Sequence, residues 1–132
     1  MKLDPILGHF ISRLQLLTLA ANAKGEEKSW FLAKIEELTK LFKTMPRVYE
    51  QDGKGEEAIV YLHYFIGGAD WFITERDLSD EQYQAYGLAD LFRDGGEMGY
   101  ISIQEIIESG GELDFHWTPK TLREAKAGRN LN

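Results

Sequence analysis

Apolar positions recur every three or four residues over the first 45 positions, and from position 58 the rhythm shortens to two. Leu3, Ile6, Leu7, Phe10, Leu14, Leu17 and Ala21 mark one helix. Asp4-Pro5 starts it, because Asp caps and Pro fits a first turn, and Lys24-Gly25 ends it. Phe31, Ile35, Leu38, Leu41, Phe42 and Met45 mark a second, from Glu26 or Ser29 to Thr44, stopped by Pro46. The pair reads as an αα-hairpin whose stripes face each other and a sheet.

"RVYEQDGKGEEA" (47–58) has two glycines and no periodicity, and is expected to be the most mobile loop. "AIVYLHYFI" (58–66) and "DWFITER" (70–76) read as strands joined at Gly67-Gly68, which supplies the positive φ of a tight turn. Alternation then places Val60, Leu62, Tyr64, Ile66, Trp71, Ile73 and Glu75 on a core face. Ile59, Tyr61, His63, Phe65, Asp70, Phe72, Thr74 and Arg76 fall on a mixed face. "YQAYGLADLF" (83–92) is a third strand and "RDGGEMG" (93–99) a loop. In "YISIQEII", Ser102 and Glu105 form a capping box, with Ile101 stapled onto Ile106, so a short helix runs to about Ser109. "ELDFHW" (112–117) is a fourth strand, and Thr118-Pro119 opens a last helix to about Ala127, closed by Gly128. The order ααβββαβα predicts one α+β domain over 1–132. A helical hairpin (1–45) packs on a mainly antiparallel sheet of about four strands with two short C-terminal helices (46–132).

Composition narrows the function. With 43% hydrophobic residues, 132 residues fill one core. The absence of cysteine excludes disulfides, thiolate chemistry and Cys-based zinc sites. No apolar run approaches the ~20 residues of a membrane helix. "LQLLTLAANA" (14–23) has a faint signal-peptide look, but helical periodicity explains its leucines, and a cytoplasmic protein is expected. The net charge of −7 is uneven: +3 over 1–49, −13 over 50–114 and +3 over 115–132. Such a surface repels phosphate and steers basic macromolecules toward the middle of the chain.

Catalytic signatures are sparse. His9, His63 and His116 form no His-x-x-x-His pair; a metal would need His63 or His116 to meet Asp70 or Asp114, so no metal site is assigned. No serine sits in a Gly-x-Ser-x-Gly setting, and no cofactor motif is present. Glu75 stands out among possible acid–base groups, which include Asp70 and Asp77, because a carboxylate on the core face needs a partner. Tyr61, Tyr64, Phe65, Trp71, Phe72, Tyr83, Tyr86, Phe92 and Tyr100 have acidic neighbours, which favours core packing over base stacking. Should there be a ligand site or small enzyme centre, His63, Asp70, Thr74 and Glu75 on the mixed face are the candidates.

Several marks together resemble a family of small uncharacterised bacterial and phage proteins, a domain of unknown function carried on plasmids, integrative elements and prophages. They are an aromatic-x-x-Thr-Glu step (Trp71 to Glu75), Tyr86-Gly87, and a Glu-x-Gly-Tyr-x-Ser-x-x-Glu run (Glu97 to Ile106). The likeness spans about residues 46–122 and leaves the helical hairpin outside. It implies an accessory protein of a mobile element and carries no assigned catalytic residue. The expectation is a non-enzymatic acidic module docking on a basic host or defence protein, as an inhibitor of anti-CRISPR or anti-restriction type or as a DNA mimic. Glu50, Asp52, Glu56, Glu57, Asp77, Asp80, Glu81, Asp94 and Glu97 would form the contact. Direct nucleic-acid or membrane contact is not expected. Self-association through the N-terminal helices is the further possibility.

Overall fold

The computed structural model describes residues 3–22, 25–77 and 84–130. The first helical pattern is broken once. Leu7–Phe10 (α1) stops where Ile11 turns extended (φ −131°, ψ 135°). Ser12 restarts the chain as Arg13–Asn22 (α2), its Oγ accepting the Gln15 N–H at 3.0 Å. The expected single helix is therefore two, and Ile11 is fully buried at the break. Glu26–Thr44 (α3) follows, and its Phe42 stacks on Phe10 with centroids 4.3 Å apart.

A five-stranded antiparallel sheet receives these helices. Ile59–Val60 is β1, Leu62–Ile66 β2, Ala69–Arg76 β3, Gln84–Asp90 β4, Glu97–Ser102 β5, Glu112–Leu113 β6 and Lys120–Thr121 β7. The sheet order is β5-β4-β3-β2-β6, while β1 and β7 form a separate ribbon. Ile66 pairs with Ala69, so Gly67-Gly68 is the two-residue turn the sequence predicts, with Gly67 at φ 55°. Leu62, Tyr64, Ile73, Ala85 and Ile101 pack under the helices. On the opposite face Phe72 and Leu88 join Val60, Leu122 and Ala125, the last two from Leu122–Asn130 (α5).

Four expectations are revised. The strand over 58–66 breaks at Tyr61, which turns Val60 to the face opposite Leu62. Glu97–Ser102 is a strand, not a loop leading into a helix. The Ser102 cap is where the sequence puts it, accepting the Glu105 N–H at 3.2 Å, and Ile103–Glu108 (α4) begins directly after it. Only Glu112–Leu113 of "ELDFHW" pairs as strand. The last helix starts at Leu122, because Thr121 and Glu124 exchange side-chain-to-backbone bonds at 3.1 Å each, a capping box three residues beyond the Thr118-Pro119 signal, and it runs past Gly128 to Asn130.

The register of β3 changes the face of one residue. Ile73 pairs with Gly87, but Glu75 pairs with Tyr86, so Thr74 is the extra residue of a β-bulge. The bulge carries Glu75 off the face covered by α1–α3 and onto the face of Tyr86, and turns Arg76 the other way, opposite Ala85. Gly87 permits the close approach: a Cβ there would lie 2.0 Å from the Phe72 carbonyl oxygen.

Candidate functional site

The four residues of the expected ligand site share the sheet face opposite α1–α3, the face that also carries α5, but fall into two groups. At one end His63 lies between two carboxylates: Nε2 is 2.6 Å from Asp70 Oδ1, and Nδ1 is 3.0 Å from Asp114 Oδ2. Its ring stacks on Phe72 with centroids 5.0 Å apart. Arg129 of α5 ion-pairs with Asp70, and donates from Nε to Asp90 Oδ2 at 2.6 Å and from Nη2 to the Gly68 carbonyl at 2.8 Å. Burial pushes the His63 pKa below its ordinary value, outweighing the opposite pull of Asp114. The carboxylates flank opposite ring nitrogens, so they do not converge on one ion, and no metal-holding cluster occurs among the described residues. His116 is exposed and faces Trp30 instead. The network is closed on itself and clamps α5 to the β2–β3–β4 end of the sheet.

Thr74 and Glu75 belong to the other group, beyond the Phe72–Leu88 cluster. The 47–58 loop comes down on them and is anchored rather than loose. Gln51, 5% exposed, donates from Nε2 to the carbonyls of Ile59 (2.9 Å) and Thr74 (2.8 Å), and its Oε1 accepts the Ile59 N–H at 2.7 Å. Val48 N–H donates to the Arg76 carbonyl at 2.8 Å. Between these anchors Tyr49 is held at φ 81°, a left-handed conformation that costs a bulky residue about 1–3 kcal/mol.

Loop and sheet enclose an open cleft of about 590 Å³. Glu75 is in its floor, 5% exposed. Its Oε1 accepts the Gln51 N–H at 3.2 Å and its Oε2 the Thr74 hydroxyl at 3.0 Å. Among the described residues no Lys or Arg pairs with it. The walls are Tyr86, Met98 and Tyr100 from the sheet and Tyr49 and Asp52 from the loop. The Tyr86 and Tyr100 rings meet at 80° with centroids 5.5 Å apart, and the Tyr49 and Tyr100 hydroxyls are 3.0 Å apart. That contact, with smaller contributions from burial and from Glu75, raises the Tyr100 pKa. Tyr49, Met98 and Tyr100 are exposed by 64%, 42% and 61%. The arrangement sets a nearly buried carboxylate and exposed aromatic side chains in one cleft. Among the described residues no serine, cysteine or histidine lines the cleft.

The nine expected contact acids do not share one environment. Glu56 pairs with Arg123 (3.3 Å) and Lys126 (3.0 Å), and Glu57 with Arg123 (3.0 Å), so α5 neutralises both. Glu50 accepts the Arg47 N–H at 2.7 Å, and Asp52 borders the Glu75 cleft. Asp77 accepts the Gln84 N–H at 3.3 Å, Asp94 the Gly96 N–H at 3.1 Å, and Glu97 is exposed at the start of β5. Asp80 and Glu81 lie outside the described residues. The stripe expected to self-associate is divided: Leu7 and Phe10 are buried, while Leu14 and Leu17 of α2 face outward. Sequence reasoning missed Tyr49, Gln51, Met98 and Arg129, and assigned Tyr86 and Tyr100 to the core. The signal for the last two was present in the Tyr86-Gly87 and Glu97-to-Ile106 marks, since an antiparallel meander sets such strands side by side.

A family model described as a protein of unknown function (DUF2958) matches residues 32–117. No curated protein and no solved structure matches the chain. The matched stretch begins inside α3, so the helical hairpin is not wholly outside the shared part, contrary to the sequence-based expectation. It contains every residue of the Glu75 cleft, and leaves out α1, α2, β7 and α5 with Arg129. Among the described residues no helix is long and apolar enough to cross a membrane.

Proposed function

This chain belongs to the DUF2958 family of proteins of unknown function, and for it we propose a non-enzymatic binding module that takes a basic group of a partner protein into the Glu75 cleft. One observation carries the reading: a carboxylate 5% exposed, in no ion pair with a described Lys or Arg, shares its cleft with exposed tyrosines and a methionine. A buried negative charge without a counter-charge is costly, and an incoming cation relieves that cost. Tyr and Met are enriched at the centres of protein interfaces, which favours a protein partner over a small metabolite. Glu50 and Asp52 stand on the same loop and add to the field that steers a basic surface inward.

The proposal keeps the setting that the sequence resemblance implies: a cytoplasmic accessory protein of a mobile element or phage, acting on a host or defence protein. It moves the contact from a row of nine acids to one cleft. Glu56 and Glu57 are already neutralised by Arg123 and Lys126, which weakens the case for imitation of a phosphate backbone.

Comparative capture from an extract of the natural host tests it. The wild type should retain a basic partner that elutes with salt. Glu75→Gln should lose that partner, and Glu56→Gln with Glu57→Gln should keep it. Equal capture by wild type and Glu75→Gln, or a partner indifferent to salt, would contradict the proposal.

A further inference from the structure

We infer that the group received by the cleft is a lysine-type ammonium bearing at least one N–H, in preference to a guanidinium or a quaternary ammonium; this rests on the binding reading above. Glu75, Tyr86 and Tyr100 are register partners across β3, β4 and β5, so their Cα atoms follow one another at roughly 5 Å intervals. The two tyrosine rings, at 80°, make a corner beside the carboxylate. A compact, nearly spherical ammonium meets both walls of a corner. A planar guanidinium gains most by stacking flat on one ring, and the second ring then blocks its edge.

The carboxylate makes the same distinction. An arginine fork uses two parallel N–H donors against both oxygens at once. Here Oε1 accepts the Gln51 amide and Oε2 shares the Thr74 hydroxyl with the Tyr86 carbonyl, so about one acceptor site is left on each oxygen and a fork needs both at once. A point donor needs only one remaining lone pair. A quaternary ammonium has no N–H and leaves the buried acceptor without a new bond. The four-carbon stem of lysine also suits the access route: it can lie along Met98 and Tyr49 while its tip reaches a group only 5% exposed.

The test titrates the full chain with n-butylamine, N,N-dimethylbutylamine, butylguanidine, butyltrimethylammonium and neutral 1-butanol, following backbone amide shifts. The two N–H ammonium probes should shift Gln51, Tyr86 and Tyr100 and bind about tenfold more tightly than the guanidinium and quaternary probes. Glu75→Gln should weaken them about tenfold, as should Tyr100→Ala, while Tyr100→Phe, which keeps the ring, should bind like wild type. Tighter binding of butylguanidine or butyltrimethylammonium would overturn the lysine inference and leave the cation cleft standing. Failure of every cationic probe to shift the cleft, or equal shifts with 1-butanol, would overturn the binding reading with it.

Discussion

The backbone N–H of Gln51 donates to the Glu75 carboxylate at 3.2 Å, and the Gln51 side chain at the same time closes the edges of β1 and β3. One residue thus fixes the loop, the bulge and the acid in the cleft floor. Gln51→Ala would orphan the Ile59 N–H and the carbonyls of Ile59 and Thr74. Each orphaned group costs roughly 1–3 kcal/mol, and water entering from the cleft recovers part, so a net loss of about 3 kcal/mol is expected by urea denaturation. Gln51→Glu should not rescue, because it lacks the two N–H donors that Nε2 supplies.

Gly87→Ala should destabilise although alanine is small. Its Cβ would meet the Phe72 carbonyl oxygen at 2.0 Å, and backbone atoms cannot swing aside as a flexible side chain does. The expected cost is about 1–3 kcal/mol or more, read as a fall in Tm. Gly99→Ala is the control, since a Cβ there has nothing within 4 Å.

Arg129 holds α5 on the sheet through Asp70, Asp90 and the Gly68 carbonyl. Arg129→Met keeps the apolar stem and removes the charge from a pair whose side chains are 9% and 5% exposed. Leaving Asp90 buried and unpaired should cost about 3–5 kcal/mol. Hydrogen exchange should show α5 opening first, and Asp90→Asn in the same chain should restore part of the loss.

The alkaline limb of stability should belong to Tyr64. Its hydroxyl is buried and donates to the Phe10 carbonyl at 2.5 Å, and burial raises its pKa well above the ordinary 10.0. A raised folded-state value means that the unfolded chain releases the proton first. The contribution is therefore complete below pH 10 and is lost as pH rises from there toward the folded value. Tyr64→Phe should lower stability at neutral pH, by loss of the hydrogen bond, and flatten the decline above pH 10. Equal slopes for the two proteins would contradict this.

Much of the frame was legible because it is carried by local signals. The Gly67-Gly68 turn, the Ser102 cap and the periodic face of α3 each depend on residues within a few positions of one another. The cleft was not legible for the opposite reason. Alternation alone puts Glu75 beside Ile73, and only the extra residue at Thr74 turns it over. A bulge is decided by pairing with β4, and no residue of β3 announces it. Gln51 sat in a stretch without periodicity, and its partners Ile59 and Thr74 are 8 and 23 positions away. Charge counts misled in a similar way: the −13 of the middle segment ignores Arg123 and Lys126, which fold back onto Glu56 and Glu57.

The Gln51 amide is the most direct reporter of the central claim, since its proton rests on the acid that the cleft is proposed to offer. Its chemical shift should move saturably when n-butylamine is added to the wild type, and stay unchanged with 1-butanol or in Glu75→Gln. An amide that ignores the amine in the wild type, or responds equally after Glu75 is neutralised, would contradict a cation-receiving cleft.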